Sequence, residues 1–137
     1  MPKILIVDDE PDLEVLLRQR FRRQLREGVY DFVFARNGEE ALRVLRDTPI
    51  DLVLSDINMP VMDGLTLLSH LRELRPRLGA VIVSAYGDMR NIRTAMNLGS
   101  LDFLTKPIDF QDFELTIDKT LRQVSEDRKS TRLNSSH

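Results

Sequence analysis

The sequence predicts an α/β fold, a five-stranded parallel sheet with helices on both faces. Two observations predict it. Short apolar runs alternate with stretches of helical spacing five times along the chain, and strands separated by helices build a parallel sheet. The central runs are also apolar at nearly every position, as strands covered on both sides must be. Right-handed crossovers then fix the hand of each unit.

Lys3–Val7 is the first strand. Pro11 falls where a first helical turn tolerates a residue without an N–H. Leu13, Leu16, Leu17, Phe21 and Leu25 follow at helical spacing, and Gly28 ends that helix. Tyr30, Phe32 and Phe34 alternate with other residues, as in a half-buried edge strand. Asn37-Gly38 turns the chain into a helix marked by Ala41, Leu42, Val44 and Leu45. Ile50–Leu54 is the third strand. Gly64 opens a helix carrying Leu65, Leu67, Leu68, Leu71 and Leu74, and Pro76 and Gly79 punctuate it. Ala80–Val83 is the fourth strand, Asp88–Leu98 a helix stopped by Gly99, and Leu101–Leu104 the fifth strand. The last helix starts near Asp109, with Phe110, Phe113, Ile117, Leu121 and Val124 on one face. No repeat or linker interrupts the pattern before Ser125, so residues 1–126 read as one domain.

Hydrophobic content of 42% and charged content of 31% fit a soluble globular protein. The chain has no cysteine, which excludes disulfides and thiolate metal sites. Two histidines, His70 and His137, cannot form a His-rich metal site. No apolar run is long enough to span a bilayer, and the N-terminus lacks the features of a signal peptide. A cytoplasmic protein with no membrane partner is the expectation. Net charge is -2 and no basic block dominates, so nucleic-acid binding has little support. Arg18, Arg20, Arg22, Arg23 and Arg26 alternate with acids and apolar residues, as on a solvated helix face. Asp127 to His137 are polar, lack periodicity and resemble the translation of a sequencing adapter. Residues 127–137 are therefore expected to be non-native or disordered.

Asp8, Asp9, Asp56, Ser84 and Lys106 each stand at or just past the C-terminal end of an apolar run. In a parallel sheet they gather at one edge, where open α/β sheets hold ligands. Three carboxylates this close cannot all stay ionised unless a cation joins them. With hard oxygen donors and no Cys or His, that cation is best read as Mg²⁺. Asp8-Asp9 alone reads equally well as a helix cap; Asp56 and Lys106 in register favour the metal. A carboxylate such as Asp56 can act as nucleophile and form an aspartyl-phosphate. Such a transfer needs positioning and charge neutralisation more than acid–base chemistry. The Lys106 ammonium suits a phosphoryl oxygen, and Ser84 offers a hydroxyl donor.

Ile4-Leu5-Ile6-Val7-Asp8-Asp9-Glu10, Asp56-Ile57-Asn58-Met59-Pro60 through Met62-Asp63-Gly64, Ser84-Ala85 and Lys106-Pro107 resemble the response-regulator receiver domains of two-component signalling. The resemblance covers residues 3 to about 124. It implies a flavodoxin-like (βα)5 sheet of order 2-1-3-4-5. It implies that Asp56 accepts a phosphoryl group from a sensor histidine kinase or phosphotransfer protein. Asp9, Asp56 and the backbone carbonyl of Asn58 would bind Mg²⁺, with Asp8 acting mainly through water. Lys106-Pro107 would be a cis peptide. Ser84 would move toward the phosphate and Phe103 would rotate inward; many relatives have Tyr there, and Phe lacks its hydroxyl bond. Asn58 and Tyr86, two residues beyond Asp56 and Ser84, would tune dephosphorylation, with bulky Tyr86 hindering the attacking water.

The resemblance further implies output through the face of the fourth helix, fifth strand and fifth helix, and leaves room for a phosphorylation-dependent homodimer. Val83–Asp88 and Asp109–Asp112 look like receivers ahead of nucleotide-cyclase or PP2C-type phosphatase domains. The domain itself would catalyse only its own phosphorylation and dephosphorylation. The rival expectation is a Mg²⁺-dependent phosphohydrolase with Asp56 as nucleophile. A haloacid-dehalogenase-like enzyme would want Asp-x-Asp after its first strand. Here Asp56 follows the third strand and Asn58 stands in the second acidic position.

Overall fold

The computed structural model describes residues 1–59 and 61–135, with side chains described as far as Asp127. Five strands, β1 (Lys3–Val7), β2 (Asp31–Ala35), β3 (Leu52–Asp56), β4 (Gly79–Ala85) and β5 (Asp102–Lys106), form one parallel sheet of order β2-β1-β3-β4-β5. The helices are α1 (Pro11–Arg20), α2 (Arg22–Arg26), α3 (Gly38–Asp47), α4 (Gly64–Leu74), α5 (Met89–Asn97) and α6 (Phe110–Ser135). The expected flavodoxin-like architecture is therefore present. Among the described residues no helix is long and apolar enough to cross a membrane.

Alternation along the strands divides the core into two. Leu5, Val7, Val53, Ala80 and Ile82 pack with Leu45, Leu67, Leu68, Leu71 and Ile92 of α3, α4 and α5. Ile4, Ile6, Leu54, Val81 and Val83 pack with Leu13, Leu17, Phe113 and Ile117 of α1 and α6. Burying both faces leaves the strand ends as the places for polar groups. Asn37 and Asp63 cap α3 and α4, accepting the N–H of Glu40 at 2.9 Å and of Thr66 at 2.8 Å.

Three expectations are corrected. β3, β4 and β5 each run two residues further than the apolar runs, to Asp56, Ala85 and Lys106. Ser55, Ser84 and Thr105 end the apolar pattern, yet their backbones stay in the ladder. The first helix is two helices, broken at Phe21 (φ -107°, ψ 23°). The break sets the buried Phe21 ring against Tyr30, Phe32, Phe110 and Phe113, with centroids 5.2–6.5 Å apart. Leu16, expected on the apolar stripe, is exposed. The helix α6 continues past Glu126 to Ser135, so the stretch 127–137 lies partly on that helix, and residues 136–137 lie outside the described residues.

Candidate functional site

The strand register builds the site. Val7 pairs with Ser55, Asp56 with Val83 and Ala85 with Lys106. Asp8 thus comes beside Asp56, with Ser84 one residue and Lys106 two residues further along the C-terminal edge. One carboxylate oxygen from each of Asp8, Asp9 and Asp56 lies within 4.8 Å of the others. Asp8 and Asp56 are buried, whereas Asp9 faces solvent.

Lys106 ties the acids together. Its Nζ lies 2.8 Å from Asp56 Oδ2, 3.1 Å from Asp8 Oδ2 and 3.4 Å from Glu10 Oε1. The other oxygens of the two buried acids take backbone donors: Asp8 Oδ1 accepts from Glu10 N–H at 2.9 Å, and Asp56 Oδ1 from Asn58 N–H at 3.2 Å. Burial pushes the Asp8 carboxyl above its usual range. The Glu10 N–H and Lys106 oppose that rise, and the charge of Asp56 adds to it. For Lys106 burial would lower the pKa, but the hydrogen bonds and charges of Asp56 and Asp8 outweigh it and hold the ammonium above its usual value. The Lys106-Pro107 peptide is cis.

Gly64 fits the β3–α4 loop against Asp56. A Cβ there would stand 2.2 Å from the Asp56 carbonyl oxygen and 2.8 Å from Ile57 Cα. Its N–H donates to the Ile57 carbonyl at 2.9 Å. The same loop carries Val61 at φ 71°, a strained conformation for a β-branched residue.

Of the expected site residues, Asp8, Asp9, Asp56 and Lys106 are brought together. Ser84 is fully buried, and its hydroxyl donates to Asp88 Oδ2 at 3.4 Å. Asn91 Nδ2 holds the same oxygen at 2.8 Å. Asn58 is exposed and reaches Asp56 through its backbone N–H. Tyr86, just beyond β4, is 88% exposed. Phe103 is 38% exposed and lines a shallow groove with Leu104, Asp112, Leu115 and Thr116. Sequence reasoning missed Glu10 as a partner of Lys106, Asp88 as the partner of Ser84, and the closeness of Gly64 to Asp56. Asp88 was open to discovery, since it stands four residues past Ser84 at the start of α5.

The Asp8, Asp9 and Asp56 carboxylates could hold a small hard cation through oxygen donors alone, with the Lys106 ammonium beside them. This acidic cluster sits at the C-terminal edge of a flavodoxin-like sheet. The chain belongs to the response regulator receiver domain family, whose model matches residues 4–118. It is 38% identical over 120 residues to the transcriptional regulatory protein GlrR of Escherichia coli K12, covering 88% of this chain and 26% of that protein. It is 38% identical over 107 residues to the response regulator protein PilR of Pseudomonas aeruginosa, covering 78% of this chain and 23% of that protein. The chain thus spans about a quarter of the length of these curated relatives. Among solved structures, the signal receiver domain of an HD domain-containing protein from Pseudomonas fluorescens matches with a TM-score of 0.78 at 33% identity, covering 93% of this chain and 92% of that one. NtrX from Brucella abortus matches with a TM-score of 0.85 at 29% identity, covering 97% of this chain and 30% of that one.

Proposed function

We propose that the domain is a phosphorylation-controlled switch in which Asp56 is the phosphoacceptor. The observation that carries this is the Lys106 ammonium bridging buried Asp56 and Asp8, with Asp9 in the same carboxylate cluster. The donor would be a phosphohistidine of a sensor histidine kinase or phosphotransfer protein. An Asp56 oxygen attacks phosphorus, the P–N bond breaks, and the imidazole leaves with the electron pair and takes a proton. Asp9, Asp56 and the Asn58 carbonyl would hold Mg²⁺, with Asp8 acting through water. The metal supplies charge neutralisation of the phosphoryl oxygens. Lys106 neutralises another oxygen from its existing place. Hydrolysis reverses the adduct when water attacks phosphorus and the Asp56 carboxylate leaves. Tyr86 and Asn58 flank that path, and Tyr86→Ala should speed the loss of phosphate; an unchanged rate would remove Tyr86 from this role.

Ser84 would exchange Asp88 for a phosphoryl oxygen, and Phe103 would turn inward into the space this opens. Phosphorylation shifts the equilibrium only through such differences in contact. Output would use the face of α5, β5 and α6, where Met89, Met96, Phe103 and Leu115 are exposed, and the same face could join two phosphorylated copies. The domain would work in the cytoplasm, bind no nucleic acid itself and act on no other substrate. The curated relatives are named as transcriptional regulators, whereas the sequence resemblance points to a cyclase or PP2C-type output. The gene sequence past Glu126 decides this point.

Incubation with Mg²⁺ and acetyl phosphate, followed by intact mass, tests the acceptor. A single phosphate addition, absent in Asp56→Asn, is expected. No adduct on the wild type, or one that survives Asp56→Asn, overturns the reading.

A further inference from the structure

We infer that Glu10 is a positioning residue of this site: it draws the Lys106 ammonium away from the phosphoryl group and so restrains phosphorylation of Asp56. The inference rests on the phosphoacceptor reading above. An ammonium has three donors, and here three carboxylates stand within 3.4 Å of it. These partners are not equivalent. The Asp8 and Asp56 side chains are almost wholly buried, whereas the Glu10 side chain is 64% exposed. Glu10 occupies the N-cap position of α1, where a carboxylate can accept a helix N–H. Its side chain makes no such bond. Its oxygen meets Lys106 instead.

An incoming phosphoryl group needs the Lys106 donors at Asp56. Glu10 is the partner that competes from the solvent side, and it belongs to neither the metal cluster nor the acceptor. Asp8 and Asp56 fix the ammonium over the sheet edge; Glu10 pulls it toward the rim. The contact is long and partly screened, so its effect should be that of an exposed ion pair, at most about fivefold in rate.

The test is the initial rate of phosphorylation of the full chain by acetyl phosphate with Mg²⁺, read by intact mass. In this reaction the Asp56 oxygen bonds to phosphorus and acetate leaves. The variants are Glu10→Gln, Lys106→Met, the double variant, and Glu14→Gln as a charge control on α1, where Glu14 pairs with Arg18. Glu10→Gln should raise the rate about two- to fivefold, and the gain should shrink with added salt. Glu14→Gln should change nothing. The gain should vanish in the Lys106→Met background. An equal gain with and without Lys106 would mean a general field effect and would overturn the inference. So would an unchanged rate in Glu10→Gln while the wild type is phosphorylated; no adduct on the wild type would instead sink the phosphoacceptor reading. An independent readout is the Lys106 ammonium signal in a ¹H–¹⁵N spectrum without phosphodonor. It should shift in Glu10→Gln and stay in place in Glu14→Gln. An unmoved signal also overturns the inference, and this readout decides the matter if Lys106→Met reacts too slowly to follow.

Discussion

The two ends of the one sheet treat polar groups in opposite ways. At the N-terminal edge Asp102, Asp51 and Arg72 each find partners of their own. Asp102 pairs with Lys119 at 2.6 Å, and Asp51 accepts the Lys3 N–H at 2.8 Å. Ser100 donates to the Asp102 carbonyl, and Arg72 to the carbonyls of Pro76 and Leu78. At the C-terminal edge three carboxylates meet a single ammonium. A cavity of about 520 Å³, lined by Arg72, Leu78, Gly99, Leu101 and Val124, opens at the N-terminal edge, away from the acids. Concavity and crowded charge therefore fall at opposite ends of the sheet. The proposed chemistry follows the charge, because a site completed by its own residues has nothing to offer a ligand.

The sharpest way to break this contrast is to fill a glycine at each end. Gly64→Ala should destabilise by about 3 kcal/mol, because the clash is with the Asp56 backbone, which cannot yield. Gly79→Ala at the opposite edge should lose only about 1 kcal/mol, because its new methyl meets the Val124, Leu101 and Leu52 side chains, which can shift. Urea unfolding of both variants measures the gap. Equal losses would show the β3–α4 loop to be as adaptable as the far edge.

Asp8→Asn tests the imbalance itself. It removes one of the crowded charges, and stability without Mg²⁺ should rise by roughly 1 kcal/mol at neutral pH. The sign follows from the raised Asp8 pKa. The folded state holds that proton more tightly, so the burial penalty is absent below the usual carboxylate pKa and sets in as pH rises through the raised value. The advantage of Asp8→Asn should therefore fade in acid. Stabilisation by Mg²⁺ should weaken in the variant, which thermal unfolding with and without the ion would show.

The smallest effect belongs to the N-terminal edge. The Tyr30 hydroxyl is buried without a hydrogen-bond partner among the described residues. Burial, with the charges of Asp118 and Glu114, pushes it up to about 12. Tyr30→Phe should be neutral or stabilising by about 0.5 kcal/mol. In the wild type the stability tied to the neutral phenol is complete below pH 10 and lost as pH rises toward 12. Alkaline unfolding that begins at the same pH in Tyr30→Phe would dissociate the loss from this group.

Much of this was legible beforehand, for local reasons. Apolar periodicity located every strand, and Asp8, Asp9, Asp56 and Lys106 stood out because they are charged residues at strand ends. The misreadings share a cause. Ser55, Ser84 and Thr105 are polar residues with strand backbones, so hydropathy stopped before the hydrogen bonds did. Phe21 continued a helical spacing, yet the backbone broke to set its ring among four others.

The sequence by itself determined which segments are strands and helices, which faces are buried, and which ionisable groups stand at the C-terminal edge. Those properties follow from side-chain type and spacing within a few residues. Only the tertiary structure decided that Lys106 is shared with Glu10, that Ser84 is turned to Asp88, and that Gly64 lies against the Asp56 carbonyl. Each depends on where the crossovers and loops set atoms from separate elements, to within a few tenths of an ångström, and no local periodicity encodes that.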